Sequence, residues 1–393
     1  MKKGKKLAII TCCLDDWGGS EELWARSIDI LRNDGITDIT IFKNEINTGH
    51  PEFAHLKSLG IHLKELTPRL SLLKNIQHRL SSYIHKIGEK LGISVYYWNK
   101  PVKRLYDFLK KDRPDLVLIS QGINFDGLAF AQQCLKLHIP YVIVSHKAVD
   151  FFWPASGDRE YMKETLLKAK KCLFVSEHNR TLTEEQFGIR LPDSGIVINP
   201  VKTTVLALPY PETTITYRLA CVGRLFVIDK GQDILLRILS RPKWKTRNIS
   251  ISFIGQGPDE QGLIDLASLL GVDNVSFSGF KTALTDIWAN HHALILPSRS
   301  EGLPLTVIEA MSLGRMVIAT NVGGNAEIIE DEYSGFIAEA NEKDFENAME
   351  RAWNRRGEWE SMGIKASEVI KDKIPESPEK YFATLLKDII NEH

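Results

Sequence analysis

Apolar, strand-like runs alternate with helix-patterned stretches along nearly all of the 393 residues, and after one interruption the alternation starts again. Parallel strands can be joined only through long crossovers, so this pattern builds parallel sheets covered by helices. The runs Leu7–Thr11, Ile39–Phe42, Leu116–Ser120, Tyr141–Ser145, Cys172–Ser176 and Ile196–Ile198 are the expected strands of a first sheet. Residues 201–216, with Thr-Thr pairs and two prolines, read as a linker. After them come Arg218–Val222, Ile249–Ile254, Val275–Ser278, Ala293–Leu296 and Val317–Thr320. The expectation is an α/β chain of two doubly wound domains, 1–204 and 205–375. Within 376–393, a final helix at about Glu379–Asn391 packs back on the first domain. Ser20 is placed as the N-cap of a helix over Glu21–Asn33, and Tyr333-Ser334-Gly335-Phe336 as a turn leading into a strand. Such sheets bind ligands outside the carboxyl ends of their strands. The polar and glycine-rich turns of this sequence fall just there, which places a ligand between the two domains.

Lys plus Arg and Asp plus Glu both total 50, a balance that gives no reason to expect a nucleic-acid partner. The five cysteines form no C-x-x-C or Cys/His cluster, and most sit in apolar runs; reduced, buried thiols in a cytoplasmic protein account for them. The lysine-rich start followed by Leu7–Leu14 mimics a short export signal. It runs straight into Asp15-Asp16 without a small-residue cleavage site, so export is not expected.

Residues 298–324 carry most of the chemistry. Glu301 lies in a loop and Glu309 inside the helix that the loop opens. Gly302 lets backbone approach a ligand, and Pro304 suits the first helical position, which needs no amide hydrogen. The free amides of that first turn favour an anion such as a phosphate, and Glu309 is placed to accept from a sugar diol beside it. A bare pair of glutamates would be solvated surface charge. A second element, Gly223-Arg224 through Asp229-Lys230-Gly231, follows the first strand of the second half and offers a guanidinium fork and a point charge for phosphate oxygens. Gly255-x-Gly257-Pro258 has the wrong third spacing for a dinucleotide fingerprint and reads as a turn bordering the nucleotide.

In order, the motifs are Gly-Gly-Ser-Glu at 18–21, Ser-His at 145–146, Gly-Arg…Lys-Gly at 223–231, Gly-x-Gly-Pro at 255–258, Ser-Gly-Phe at 278–280 and Glu-Gly-Leu-Pro…Glu-Ala-Met…Gly at 301–314. The series resembles the family 4 glycosyltransferases, retaining enzymes of the GT-B fold with two Rossmann-like domains. The resemblance implies a nucleotide-diphosphate-sugar donor, UDP- or GDP-linked with UDP favoured, and a saccharide or lipid-linked acceptor of surface polysaccharide or glycolipid synthesis. It implies no metal and no other cofactor. Carried over by position, Arg224 and Lys230 bind the diphosphate and Glu309 the ribose hydroxyls. Glu301 holds the transferred sugar, with Gly302, Leu303, Pro304 and Leu305 beside it. Gly223 belongs to the same donor site. In the first half, Gly18 and Gly19 let the N-terminal loop close on the phosphates, and His146 lies beside the donor sugar. Phe280 and Lys281 border the base.

The segment 70–91 puts Leu73, Ile76, Leu80, Ile84, Ile87 and Leu91 on one helical face with Lys74, Arg79, Lys86 and Lys90 among the polar positions. Such a helix covers a sheet, or rests on an anionic membrane at the inner face of the cell membrane. Two other functions fit a two-domain chain of this kind: a sugar-nucleotide 2-epimerase, whose motif set this one does not resemble, and a non-catalytic nucleotide-sugar-binding protein.

Overall fold

The structure, a computed structural model, describes residues 4–13, 15–67, 100–201, 207–212 and 216–392. The basic amphipathic segment 70–91 lies outside the described residues. By density of internal contacts the chain divides into two compact units. One comprises residues 1–175, 179–199 and 377–393; the other comprises 176–178 and 200–376.

The first unit is built on seven parallel strands: β1 (Lys6–Thr11), β2 (Asp38–Lys43), β3 (His62–Glu65), β4 (Leu116–Gln121), β5 (Tyr141–Ser145), β6 (Lys171–Phe174) and β7 (Ser194–Ile196). Their order is β3-β2-β1-β4-β5-β6-β7, so the winding direction reverses between β1 and β4. Along β1, Leu7 and Ile9 face one hydrophobic core while Ala8 and Ile10 face another. Both faces are therefore covered, which is why parallel strands read as continuous apolar runs. The strand β3 escaped the sequence reading: His62-Leu63-Lys64-Glu65 is a short, polar, largely exposed edge, with no apolar run to betray it.

The helix Gly19–Asn33 starts earlier than expected, with Gly18 as its N-cap. Ser20 lies inside the first turn and donates to Glu21 Oε2 (2.8 Å), which also accepts from the Gly18 amide (3.1 Å). The longer glutamate has taken the capping work assigned to the serine. Glu21 is fully buried and accepts from Thr11 Oγ1 at 2.5 Å, so β1 and this helix are fastened at the strand's carboxyl end.

The last helix, Pro378–Asn391, packs along Gly19–Asn33. Phe382, Ala383, Leu386, Ile389 and Ile390 share a core with Leu23, Trp24, Ile28 and Leu31. Ser27 Oγ donates to the Glu379 carbonyl (3.0 Å) and Lys5 Nζ to that of Ile390 (3.2 Å).

The second unit holds six parallel strands: β8 (Tyr217–Val222), β9 (Ile249–Ile254), β10 (Val275–Phe277), β11 (Ala293–Leu296), β12 (Met316–Thr320) and β13 (Gly335–Ala338). The order β10-β9-β8-β11-β12-β13 reverses between β8 and β11. The turn at Tyr333-Ser334 leads into β13, which begins at Gly335. Arg315, with no accessible surface, spends its guanidinium on main-chain carbonyls: Trp288, His291, Leu208, Leu313, Gly314 and Pro209. The segment Leu208–Pro209, part of the expected linker, is thereby held against this unit.

Phe382 is completely buried. Its replacement by alanine removes a large apolar side chain from a close-packed core, and we expect a loss of about 3–5 kcal/mol in the stability of the first unit. A denaturant midpoint indistinguishable from wild type would show that the last helix adds no stability.

Candidate functional site: two turns at the reversal point of the second sheet

The two strands that flank the reversal, β8 and β11, end in the two turns singled out in the sequence. After β8 come Gly223, Arg224 and the one-turn helix Val227–Lys230; after β11 come residues 297–304 and the helix Leu305–Ser312. The turns are bonded to each other. Lys230 Nζ lies 2.6 Å from Glu301 Oε1, and Ser298 Oγ donates to the same oxygen at 2.7 Å. The amides of Arg299 and Ser300 donate to the Asp229 carbonyl (2.7 and 3.1 Å). Arg299 forks onto both oxygens of Asp233 (2.7 and 2.9 Å) and also donates to the Val227 carbonyl (2.8 Å).

Close main-chain approaches require glycine here, as two positions show. Gly231 has φ +60°, and a Cβ there would sit 2.1 Å from the Pro297 carbonyl oxygen. Gly323 has φ +54°, and its Cβ would meet the Gly302 oxygen at 2.3 Å. A side chain at Gly231 would drive the turn after β8 off the turn after β11, and one at Gly323 would drive the main chain after β12 off Gly302.

The Lys230 stem runs past Gly223, with Cε 3.7 Å from where a Cβ there would stand. Arg224 is 45% exposed at its side chain, its Nη2 is 3.7 Å from Asp229 Oδ2, and its guanidinium lies 4.9 Å from the Phe226 ring centre. Glu301 is nearly enclosed and Glu309, fifth residue of its helix, is buried.

Pro304 is the N-cap of Leu305–Ser312, not its first helical residue as the sequence suggested. Its ψ of 119° is extended, and Leu305 opens the helix. The amides of Leu305 and Thr306 precede the first intrahelical bonds and are directed out of the helix end. Leu303 and Gly302 are buried in the loop before it. Behind the loop, Thr320 Oγ1 donates to the Ser298 carbonyl (2.6 Å) and Asn325 Nδ2 to that of Thr320 (2.9 Å). Ser298 and Asp229 lie within the sequence motifs but were given no role there, and Asn325 was not singled out. Ser298 is the one that carried a signal, as a hydroxyl three residues before the loop glutamate.

The Gly-x-Gly-Pro turn supports the Gly223–Leu225 main chain: the Leu225 amide donates to the Gln256 carbonyl (3.0 Å), and the Val227 amide to Asp259 (2.8 Å). Phe280 and Lys281 lie on the loop after the edge strand β10, two strands from β8. Phe280 is 70% exposed.

Gly18, Gly19 and His146 belong to the first unit. His146 follows β5 directly, and its Nε2 is 3.2 Å from Ser120 Oγ at the end of the neighbouring β4. Burial pushes its pKa down to about 4, against the opposing effect of the Asn199 side chain, so the ring is neutral at pH 7. The unfolded chain binds this proton near pH 6.5 and the folded one only near 4. We therefore expect the first unit to lose stability as pH falls through that window, and a His146→Gln variant to lose less. An imidazole titrating near 6.5 by NMR would contradict this.

Residues 216–355 match the family model described as glycosyl transferases group 1. The chain is 28% identical over 249 residues to an uncharacterized glycosyltransferase of Haemophilus influenzae, covering 61% of this chain and 66% of that one. It is 29% identical over 311 residues to an uncharacterized glycosyltransferase of Methanocaldococcus jannaschii, covering 74% and 82%. It is 26% identical over 248 residues to the lipopolysaccharide 1,6-galactosyltransferase of Escherichia coli, covering 61% and 65%. Against the first and third of these, the chain spans just under two thirds of the relative's length. The crystal structure of Anabaena HepE in complex with UDP superposes with a TM-score of 0.71 at 15% identity, covering 98% of this chain and all of that one. The chain thus has the GT-B fold, and its residues 216–355 match the glycosyl transferases group 1 model.

Proposed function

We propose that this protein is a retaining hexosyltransferase that takes its sugar from a nucleotide-diphosphate donor, UDP-linked in preference to GDP-linked. Its acceptor is a saccharide or lipid-linked saccharide of surface polysaccharide or glycolipid synthesis. The observation that carries the reading is the Lys230–Glu301 pair, because it ties a cationic turn to a carboxylate turn at the reversal point of the donor sheet. Among the described residues no group of His, Cys, Asp and Glu has a metal-holding arrangement, and the reading gives the charge work to Arg224 and Lys230.

Breaking the anomeric C–O bond leaves an oxocarbenium-like sugar and a diphosphate that gains negative charge. Arg224, Lys230 and the amides of Leu305 and Thr306 act on that charge as it develops, which is where preorganised donors contribute most. Lys230 keeps two further ammonium protons for phosphate while Glu301 holds the third. Glu301, fixed by Lys230 and Ser298, takes sugar hydroxyls, and Glu309 takes the ribose diol. Phe280 and Lys281 flank the base, and Gly18 and Gly19 give the phosphates an approachable backbone. His146 offers a neutral imidazole to a sugar hydroxyl. In this account the acceptor hydroxyl attacks from the face the diphosphate leaves: a new anomeric C–O bond forms and the departing phosphate oxygen takes the proton.

The relatives that synthesise glycolipid or lipopolysaccharide support the acceptor class. No helix among the described residues is long and apolar enough to cross a membrane. We place the enzyme in the cytoplasm, with 70–91 as its contact with the inner face of an anionic membrane.

Arg224→Ala or Lys230→Ala is expected to lower kcat at least ~100-fold, the scale of removing one oxyanion donor. Nucleotide release from UDP- and GDP-hexoses, with mass analysis of the product, measures it; activity within tenfold of wild type would remove these residues from the mechanism. Glu309→Ala is expected to weaken UDP binding about tenfold, through lost charge-assisted hydrogen bonds. An unchanged dissociation constant in calorimetry would exclude the ribose role.

A further inference from the structure

The loop between β5 and the helix Arg159–Leu167 carries three consecutive exposed aromatic side chains, Phe151 (50%), Phe152 (45%) and Trp153 (67%). Ordinary surfaces do not hold large rings together in water without a use for them. The loop beneath them is fixed. Gln186, fully buried, donates both amide hydrogens to it, to the Val149 carbonyl (2.8 Å) and the Phe152 carbonyl (2.7 Å). The Gln186 oxygen is held in turn by Asn124 Nδ2 (2.7 Å), and Arg159 grips the Gln186 and Phe187 carbonyls (2.8 and 2.7 Å). Phe151 and Phe152 lie edge to face with centroids 5.1 Å apart. A buried amide spent on two loop carbonyls costs nothing in reorganisation when a ligand arrives, so the rings are presented ready-made.

We propose that Phe151 and Trp153 are a stacking platform for a pyranose ring of the acceptor. The inference rests on the glycosyltransferase reading and adds residues that select the acceptor. The position supports it: the loop leaves the carboxyl end of β5, five residues after His146, at the edge where doubly wound sheets take ligands. So does the chemistry. The apolar C–H face of a pyranose packs on an aromatic ring while its rim hydroxyls need polar neighbours, and Lys147, Asp150 and Asp158 stand near the rings in sequence. Residues 147–160 hold two cationic and three acidic side chains, a net charge of −1, which is the wrong sign for docking on an anionic bilayer.

The test uses the full chain with Phe151→Ala or Trp153→Ala. Saturation-transfer NMR against methyl α- and β-hexopyranosides and common hexose disaccharides reads sugar contact. Calorimetry with UDP reads the donor site separately. We expect at least one saccharide to receive saturation on its ring C–H protons, with the signal reduced about tenfold by Trp153→Ala and partly kept by Trp153→Tyr, while UDP affinity stays within twofold. Equal saccharide signals in wild type and variants, or none in any, would overturn the platform even where UDP binds. Loss of co-sedimentation with phosphatidylcholine/phosphatidylglycerol vesicles, with saccharide signals unchanged, would give the rings to a membrane instead.

Discussion

The ion pair between Lys230 and Glu301 joins two stretches 71 residues apart in sequence, each hung from the carboxyl end of a strand beside the point where the sheet reverses. Everything else about the site serves to hold that junction. Arg299 and Asp233 brace it from one side, Ser298 and Thr320 from the other, and Gly231 and Gly323 let main chains come closer than any side chain would permit. Lys230, Arg299 and Arg224 each lie against a carboxylate, Glu301, Asp233 and Asp229, and the Arg224 side chain is 45% exposed. Under the proposed function, an entering diphosphate would exchange one set of charge-assisted bonds for another and meet donors already in place.

The first unit contributes a different kind of environment. Its reversal point, between β1 and β4, is fastened by the enclosed Glu21, which caps its helix and holds Thr11. Beside it His146 is kept neutral by burial. Where the second unit assembles charge, the first offers neutral hydrogen-bonding groups and, on the loop beyond β5, exposed rings. That division is the one the proposed function calls for, with a donor rich in phosphate and an acceptor rich in hydroxyls and C–H faces.

Much of this was legible in the sequence because parallel strands covered on both faces must be apolar throughout, and because glycine, proline and charged residues collect at their ends. What stayed hidden had local causes. The edge strand His62–Glu65 is four residues long, three of them polar. Ser20 looked like a cap until the longer reach of Glu21 took the bond, and Pro304 stands one position earlier than expected because its extended ψ places it outside the helix. Arg315 carries no local signal of its role, and only the fold shows six carbonyls closing around it. The pairing of Lys230 with Glu301 could not be read from spacing, since it depends on β8 and β11 being neighbours. Phe151, Phe152 and Trp153 had the composition of a core, and their exposure is a property of the fold alone.

The most direct measurement is a calorimetric titration of the full-length protein with UDP and GDP, repeated with Lys230→Ala. One nucleotide per chain in the wild type, bound markedly more weakly by the variant, is the predicted result. No binding of either nucleotide to the wild type, or equal affinity in the two proteins, would contradict a diphosphate site built on the Lys230–Glu301 junction.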